Sequence, residues 1–245
     1  LVVEDNPDLR DYITSLLDKD YSITKAVNGV EGLEMAKKSV PDLIISDVMM
    51  PIKDGVSLCN DLKNNQLTSH IPIVLLTARV GEEHEIEGLK TGADAYITKP
   101  FSLEKLKTRV EKLLEGRTQL QKHYSKGFDI SSELKITSTE TEFLKRLEDT
   151  LKTKITNSDF TSERFAEAML MSRTQLHRKL KAIVNMTASE FIRKERLKLA
   201  IQLLKESDGT VAEIAYQVGF NSSSYFIKCF KDIYNCTPNE YLTKS

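Results

Sequence analysis

Five short apolar runs, alternating with amphipathic stretches, constrain the first half of this chain more than any other feature. The runs are Leu1–Val3, Ser22–Val27, Leu43–Ser46, Ile73–Leu76 and Ala95–Thr98, each rich in Val, Ile, Leu or Tyr. Short runs of this composition mark strands buried in a parallel sheet. The stretches between them carry helical spacing, as in Leu103, Leu106, Val110, Leu113 and Leu114. Five strands alternating with five helices predict a doubly wound α/β sheet.

Polar residues then fall at one end of that sheet. Glu4 and Asp5 follow the first run, Asp47 follows the third, Thr77 ends the fourth and Lys99 follows the fifth. Open α/β sheets bind ligands beyond the carboxyl ends of their strands, near the topological switch point. Three carboxylates, a hydroxyl and an ammonium are thus expected in one crevice. Clustered carboxylates repel unless a cation sits among them, and Mg²⁺ is a hard cation that takes oxygen ligands. With Thr77 and Lys99 added, the set suits a phosphoryl group, and one carboxylate is the candidate nucleophile.

Val-Glu-Asp-Asn at 3–6, Asp-Val-Met-Met-Pro at 47–51, Leu-Thr-Ala at 76–78 and Thr-Lys-Pro-Phe at 98–101 resemble the response-regulator receiver domain. The resemblance runs from Leu1 to Leu114 and implies a flavodoxin-like strand order 2-1-3-4-5. It implies that Asp47 is the phosphoacceptor. Glu4, Asp5, Asp47 and the backbone carbonyl of Met49 would hold Mg²⁺. Thr77 and Lys99 would sense the phosphoryl group, Tyr96 would be the switch aromatic, and the Lys99–Pro100 bond would be cis. The receiver is assigned to 1–115.

A connector is expected over 116–138. One extended helix is read from Ser102 to about Lys122, then a linker from Lys126 to Ser132 with turn formers. Thr139-x-x-Glu142 reads as a capping box, and Phe143, Leu144, Leu147 and Leu151 form an apolar stripe expected to dock on the domain that follows.

From Thr161 onward every element reads as helical, and the sequence repeats. Phe165-Ala166, Met169 and Met171-Ser172 match Ile214-Ala215, Val218 and Phe220-Asn221, each 49 residues on. Leu176, Arg178, Leu180, Lys181 and Ile183 then match Phe226, Lys228, Phe230, Lys231 and Ile233 at an offset of 50. The second copy therefore has a turn one residue longer. Helix, short turn and helix, with a small Ala at the close approach, is the helix-turn-helix design. Thr210-x-x-Glu213 caps the second copy. Thr187-x-x-Glu190 caps a helix between the copies, whose stripe is Phe191, Leu197, Ala200, Ile201 and Leu204. As a rigid spacer this helix would set two recognition helices about one DNA turn (~34 Å) apart.

Arg-x-x-Arg-Leu at 193–197, Gly-Phe-Asn-Ser at 219–222, Tyr-Phe at 225–226, Phe-Lys at 230–231 and Thr-Pro at 237–238 resemble the AraC-type DNA-binding domain, assigned to 139–245 with its extra N-terminal helix. The resemblance implies that Thr174, His177 and Arg178 face the groove from the first recognition helix. Asn221, Ser223, Ser224 and Lys228 would do so from the second. Leu170, Asn185 and Asn235 stand where the family prefers Gly. Asn tolerates a left-handed backbone, whereas at Leu170 it would cost about 1–2 kcal/mol, so the first turn is expected to be distorted or to differ in geometry.

Charge divides along the chain: net −6 over Leu1 to Glu115, +2 over 116–158 and +3 over Asp159 to Ser245. The second half is the better host for a polyanion. Cys59, Cys229 and Cys236 make no ligand pattern and read as buried thiols, and no apolar run approaches a membrane span. Leu1 is not Met, and the expectation is a piece of a longer protein. The domain order is similar to the output end of hybrid two-component systems, which implies a cytoplasmic location and a histidine kinase as phosphodonor, in cis or in trans. Double-stranded DNA is the expected partner, with a homodimer forming on activation. No second catalytic constellation follows Glu115, which argues against an enzymatic output. The alternative is a phosphate sink whose helical part binds protein.

Overall fold

Short buried strands organise the first unit. In this computed structural model, which describes residues 1–78, 92–126, 138–206 and 209–244, five parallel strands stand in the order β2-β1-β3-β4-β5. They are β1 (Val2–Val3), β2 (Lys25–Ala26), β3 (Ile44–Asp47), β4 (Ile73–Thr77) and β5 (Ala95–Thr98). The predicted order is the one observed. β2 is much shorter than its sequence run, because only Lys25 and Ala26 pair with Val2 and Val3. β3 runs one residue further than expected, so Asp47 ends the strand and pairs with Leu76.

The helices of this unit are α1 (Pro7–Leu17), α2 (Gly29–Ser39), α3 (Gly55–Lys63) and α4 (Leu103–Lys126). The remaining predicted helix, between β4 and β5, lies outside the described residues, as does nearly all of the linker read at Lys126 to Ser132. Asn6, Asn28 and Asp54 cap the first three helices through side-chain oxygens that accept backbone N–H bonds. Two apolar layers sandwich the sheet. One holds Val3, Ile44, Leu58, Leu62 and Leu75; the other holds Val2, Ile13, Ile45, Leu76, Ile97 and Leu106. The alternation of neighbours between layers is the period-two geometry of a strand.

Contacts divide the chain into Leu1–Phe143 with Ala182–Val184, and Leu144–Lys181 with Asn185–Ser245. The second unit is helical, drawing on most of α5 (Ser138–Lys154) and α7 (Arg173–Val184) and on α6 (Ser162–Ala168), α8 (Ala188–Glu206), α9 (Val211–Gln217), α10 (Ser223–Tyr234) and α11 (Pro238–Lys244). α5 begins at Ser138, so Thr139 lies inside its first turn and is not the predicted cap. Its stripe of Phe143, Leu144, Leu147 and Leu151 is buried, and Thr150 Oγ1 lies 3.8 Å from Met169 Sδ.

The repeat seen in sequence is a repeat in structure. α6 and α9 are offset by 49 residues, α7 and α10 by 50. Ser172 caps α7 and Ser222 caps α10. Ser172 therefore corresponds to Ser222, not to Asn221 as the sequence match had it, and Asn221 is the extra residue of the second turn. Capping boxes close at Ser172–Gln175, Thr187–Glu190, Thr210–Glu213 and Thr237–Glu240. The spacer α8 buries Phe191, Leu197, Ala200 and Leu204, with Ile201 half-buried.

Gly219 has no substitute in the second turn. Its φ is 93°, and a Cβ there would meet Arg196 Nε and the Ile155 carbonyl oxygen, each at 2.9 Å. Arg196 itself donates to the carbonyls of Ile155 (2.9 Å), Asn157 (2.7 Å) and Phe160 (3.5 Å), and burial lowers its pKa. One guanidinium thus fixes the loop before α6 against the spacer helix.

Candidate functional site

The acidic crevice forms at the carboxyl ends of β1, β3 and β5. Lys99 Nζ lies 2.8 Å from Asp47 Oδ1 and 3.1 Å from Glu4 Oε2. Ligand atoms of Glu4, Asp5 and Asp47 all lie within 4.8 Å of one another. Glu4 and Asp47 are buried and Asp5 is exposed, so the cluster opens to water on one side. Burial, and then the charge of Asp47, raise the Glu4 pKa against the opposing pull of Lys99. Burial would lower the Lys99 pKa, but its bonds to Asp47 and Glu4 outweigh that and raise it. The ammonium is therefore charged, and it offsets only part of the negative charge around it.

Backbone geometry holds the set in place. Asn6 N–H donates to Glu4 Oε1 at 3.2 Å, and Arg10 donates to the Glu4 carbonyl at 2.7 Å. Lys99 N–H donates to the Thr77 carbonyl at 2.7 Å, and the Lys99–Pro100 bond is cis, as expected. Thr77 is buried at the end of β4. Gly55 permits the close approach of α3, since a Cβ there would sit 2.0 Å from the Asp47 carbonyl oxygen. Met49 and Ile52 follow in an exposed loop, and Ile52 adopts a positive φ of 69°. A β-branched residue in that region is a strained one, carried here by the loop beside the candidate nucleophile.

Residues 1–111 match the response regulator receiver domain family, and residues 165–244 match a helix-turn-helix domain family. The chain joins a receiver domain to a helix-turn-helix domain. It is 42% identical over 242 residues to Histidine kinase P4 of Formosa agariphila, covering 98% of this chain and 18% of that protein. The chain therefore spans under a fifth of that relative. Over the receiver it is 37% identical to the DNA-binding dual master transcriptional regulator RpaA of Synechocystis, covering 46% of this chain and 48% of that one. Among solved structures, the signal receiver domain of a histidine kinase from Syntrophus aciditrophicus gives a TM-score of 0.45 at 37% identity. That match covers 47% of this chain and 88% of the other.

In the receiver, Tyr96 lies half-buried in the edge strand β5, paired with Leu75. Glu4, Asp5, Asp47 and Lys99 thus stand together in one crevice, Thr77 ends the neighbouring strand, and Tyr96 packs on the core beside β4. The helix-turn-helix domain is more mixed. On α7, Leu176, Lys179 and Leu180 are buried, Thr174 and His177 are exposed, and Arg178 is half-buried. On α10, Phe226, Cys229 and Phe230 are buried, Ser224 and Lys228 are exposed, and Ser223 is half-buried. Asn221 is exposed but precedes α10, so it belongs to the turn and not to the second recognition helix. Lys181, Ile227 and Lys231 are also exposed, and the sequence reading left them off its groove-facing set. The signal was available: Lys181 and Lys231 stand three residues beyond Arg178 and Lys228, one helical turn along the same face.

Leu170 and Gly219 occupy equivalent places in the two turns, and both have positive φ, 55° and 93°. Leu170 is 81% exposed. Asn185 and Asn235 end α7 and α10 in left-handed conformation, at φ 56° and 57°. The left-handed backbone that Asn tolerates is found at Asn185 and Asn235, and Leu170 adopts it too despite its Cβ.

Proposed function

We propose that this chain is a DNA-binding response regulator switched by phosphorylation of Asp47. The observation that carries the reading is the Lys99 ammonium bonded to both Glu4 and Asp47, in a chain that also bears two helix-turn-helix motifs. An Asp47 carboxylate oxygen attacks the phosphorus of a phosphohistidine. The P–N bond breaks, the imidazole nitrogen leaves, and an acyl phosphate remains on Asp47. The Lys99 ammonium and the Thr77 hydroxyl donate hydrogen bonds to the phosphoryl oxygens, and Lys99 offsets their charge.

Glu4, Asp5 and Asp47, with the Met49 carbonyl, are the proposed Mg²⁺ ligands. The fit rests on three carboxylate oxygen donors within 4.8 Å of one another, beside the Lys99 ammonium. Mg²⁺ would supply charge neutralisation to the transferring phosphoryl group. Tyr96, at the sheet edge, is the proposed relay to the surface. Thr174, His177 and Arg178 from α7, and Ser223, Ser224 and Lys228 from α10, are the proposed DNA contacts, with Asn221 reaching from the turn.

The assigned boundaries are 1–115 for the receiver, 116–138 for the connector and 139–245 for the DNA-binding part. No described helix is long and apolar enough to cross a membrane. The cytoplasm, a histidine kinase donor in cis or in trans, and a homodimer on activation complete the proposal. Incubating the chain with a small acyl-phosphate donor and Mg²⁺ tests its chemistry. A phosphoryl adduct that hydroxylamine removes from wild type, and that Asp47→Asn never acquires, is the expected result. Equal labelling of both would overturn the assignment of Asp47.

A further inference from the structure

Within the helix-turn-helix domain a cleft of about 530 Å³ opens between the two motifs. Its walls include Ser158 ahead of α6, Ser189, Arg193 and Arg196 of α8, and Asn221 and Tyr225 of the second motif. Arg196 is committed to three backbone carbonyls. Arg193 is not. Its guanidinium lies over the Tyr225 ring, 5.7 Å from the centroid, and among the described residues it has no ion-pair partner. The carboxylate on the cleft wall, Glu163, is paired with Arg173 at 2.9 Å.

Resting on the DNA-binding reading, we propose that this cleft seats a phosphate of the DNA backbone, held by Arg193 and Asn221. The chemistry fits a phosphodiester better than a base. Arg193 offers a rigid fork of N–H donors, stacked on an aromatic face that fixes its direction. Asn221 and the serine hydroxyls add neutral donors, and contacts of this kind position a protein on a duplex without reading its sequence.

The placement fits as well. The first helix of a helix-turn-helix crosses the backbone while the start of the second enters the major groove. Here the entry to α6 of one motif and the entry to α10 of the other meet across the cleft. A strand passing from one major groove to the next runs by this point. The odd feature of the repeat also finds a role. Asn221, the residue that changes the offset from 49 to 50, lines this cleft and has no counterpart in the first turn.

Salt dependence tests the proposal. The probe is a labelled duplex selected from a random library by the wild-type chain, beside an unrelated duplex of equal length. Each neutralised phosphate adds about 0.9 to the slope of log affinity against log salt. Arg193→Ala is expected to weaken binding about tenfold on both duplexes and to lower that slope by about 0.9. Arg193→Lys should keep the slope, because it keeps the charge, and it controls for lost packing on Tyr225. Asn221→Ala should weaken both duplexes with no change in slope. An unchanged slope in Arg193→Ala, or a loss confined to the selected duplex, would overturn the phosphate seat while leaving the DNA-binding reading intact. Failure of the wild-type chain to bind any duplex would instead overturn the DNA-binding reading itself.

Discussion

Lys99 and Asp47 stand at the ends of two strands separated by β4, yet their charged atoms are 2.8 Å apart. The same ammonium reaches Glu4 on β1, so one side chain ties together three strand ends. Pre-positioned charge of this kind is worth most where phosphoryl charge develops in transfer. Lys99→Ala is expected to slow labelling of Asp47 by about 100-fold, the usual scale for removing one such donor. Lys99→Arg, whose longer planar head lacks a point charge at the same place, should recover only part of it. Quench-flow labelling with an acyl-phosphate donor measures both.

Burial, and then the neighbouring Asp47, set a dependence on cation and pH at Glu4. Its raised pKa means that the folded receiver holds this proton more tightly than the unfolded chain does. Without divalent cation, stability should fall as pH rises from the ordinary carboxylate range through the raised Glu4 value. On the proposed assignment Mg²⁺ would compete with the proton for the same oxygens, so its stabilising effect should be large at neutral pH and fade as the solution is acidified. Thermal melts with and without Mg²⁺ across that range show whether the two effects have these opposite signs.

Gly55 controls how closely α3 approaches Asp47. Gly55→Ala would drive a methyl group to 2.0 Å from the Asp47 carbonyl oxygen, which the backbone has to relieve by moving. The expected cost is about 1–3 kcal/mol of receiver stability. Labelling of Asp47 should fall with it. Denaturant melts paired with the labelling assay would show both losses in the one variant.

The two turns of the repeat make opposite predictions. Leu170 is held at φ 55° with its side chain in solvent, so Leu170→Gly relieves strain and should stabilise the helical domain by about 1 kcal/mol. Gly219→Ala adds strain at φ 93° and a clash with Arg196 and Ile155, and should cost more than Leu170→Gly gains. Urea titration of each variant settles the signs.

What the sequence disclosed follows the range of the forces involved. Strand identity, the residues at strand ends and the left-handed Asn185 and Asn235 depend on local composition and on motif spacing, and all were readable, whereas the left-handed Leu170 was not. The ends of β2 were not, because only pairing with β1 decides that Lys25 and Ala26 form the strand. Asn221 matches Ser172 only while the 49-residue offset is carried through the turn, and the capping oxygen of Ser222 shows the true register. Nothing local to Arg196 announces that it binds carbonyls some 40 positions earlier in the chain. That bond exists only once α8 is packed.

The central claim joins the two halves of the chain: charge placed on Asp47 changes what the helix-turn-helix motifs do. The direct measurement is affinity for a selected duplex at fixed salt, with and without beryllofluoride and Mg²⁺ as a phosphoryl mimic, for wild type and Asp47→Asn. Only a ligand that favours one of two states can shift binding. Tighter binding by wild type with the mimic, and no change in Asp47→Asn, is the predicted result. Equal affinity in all four cases would contradict the switch.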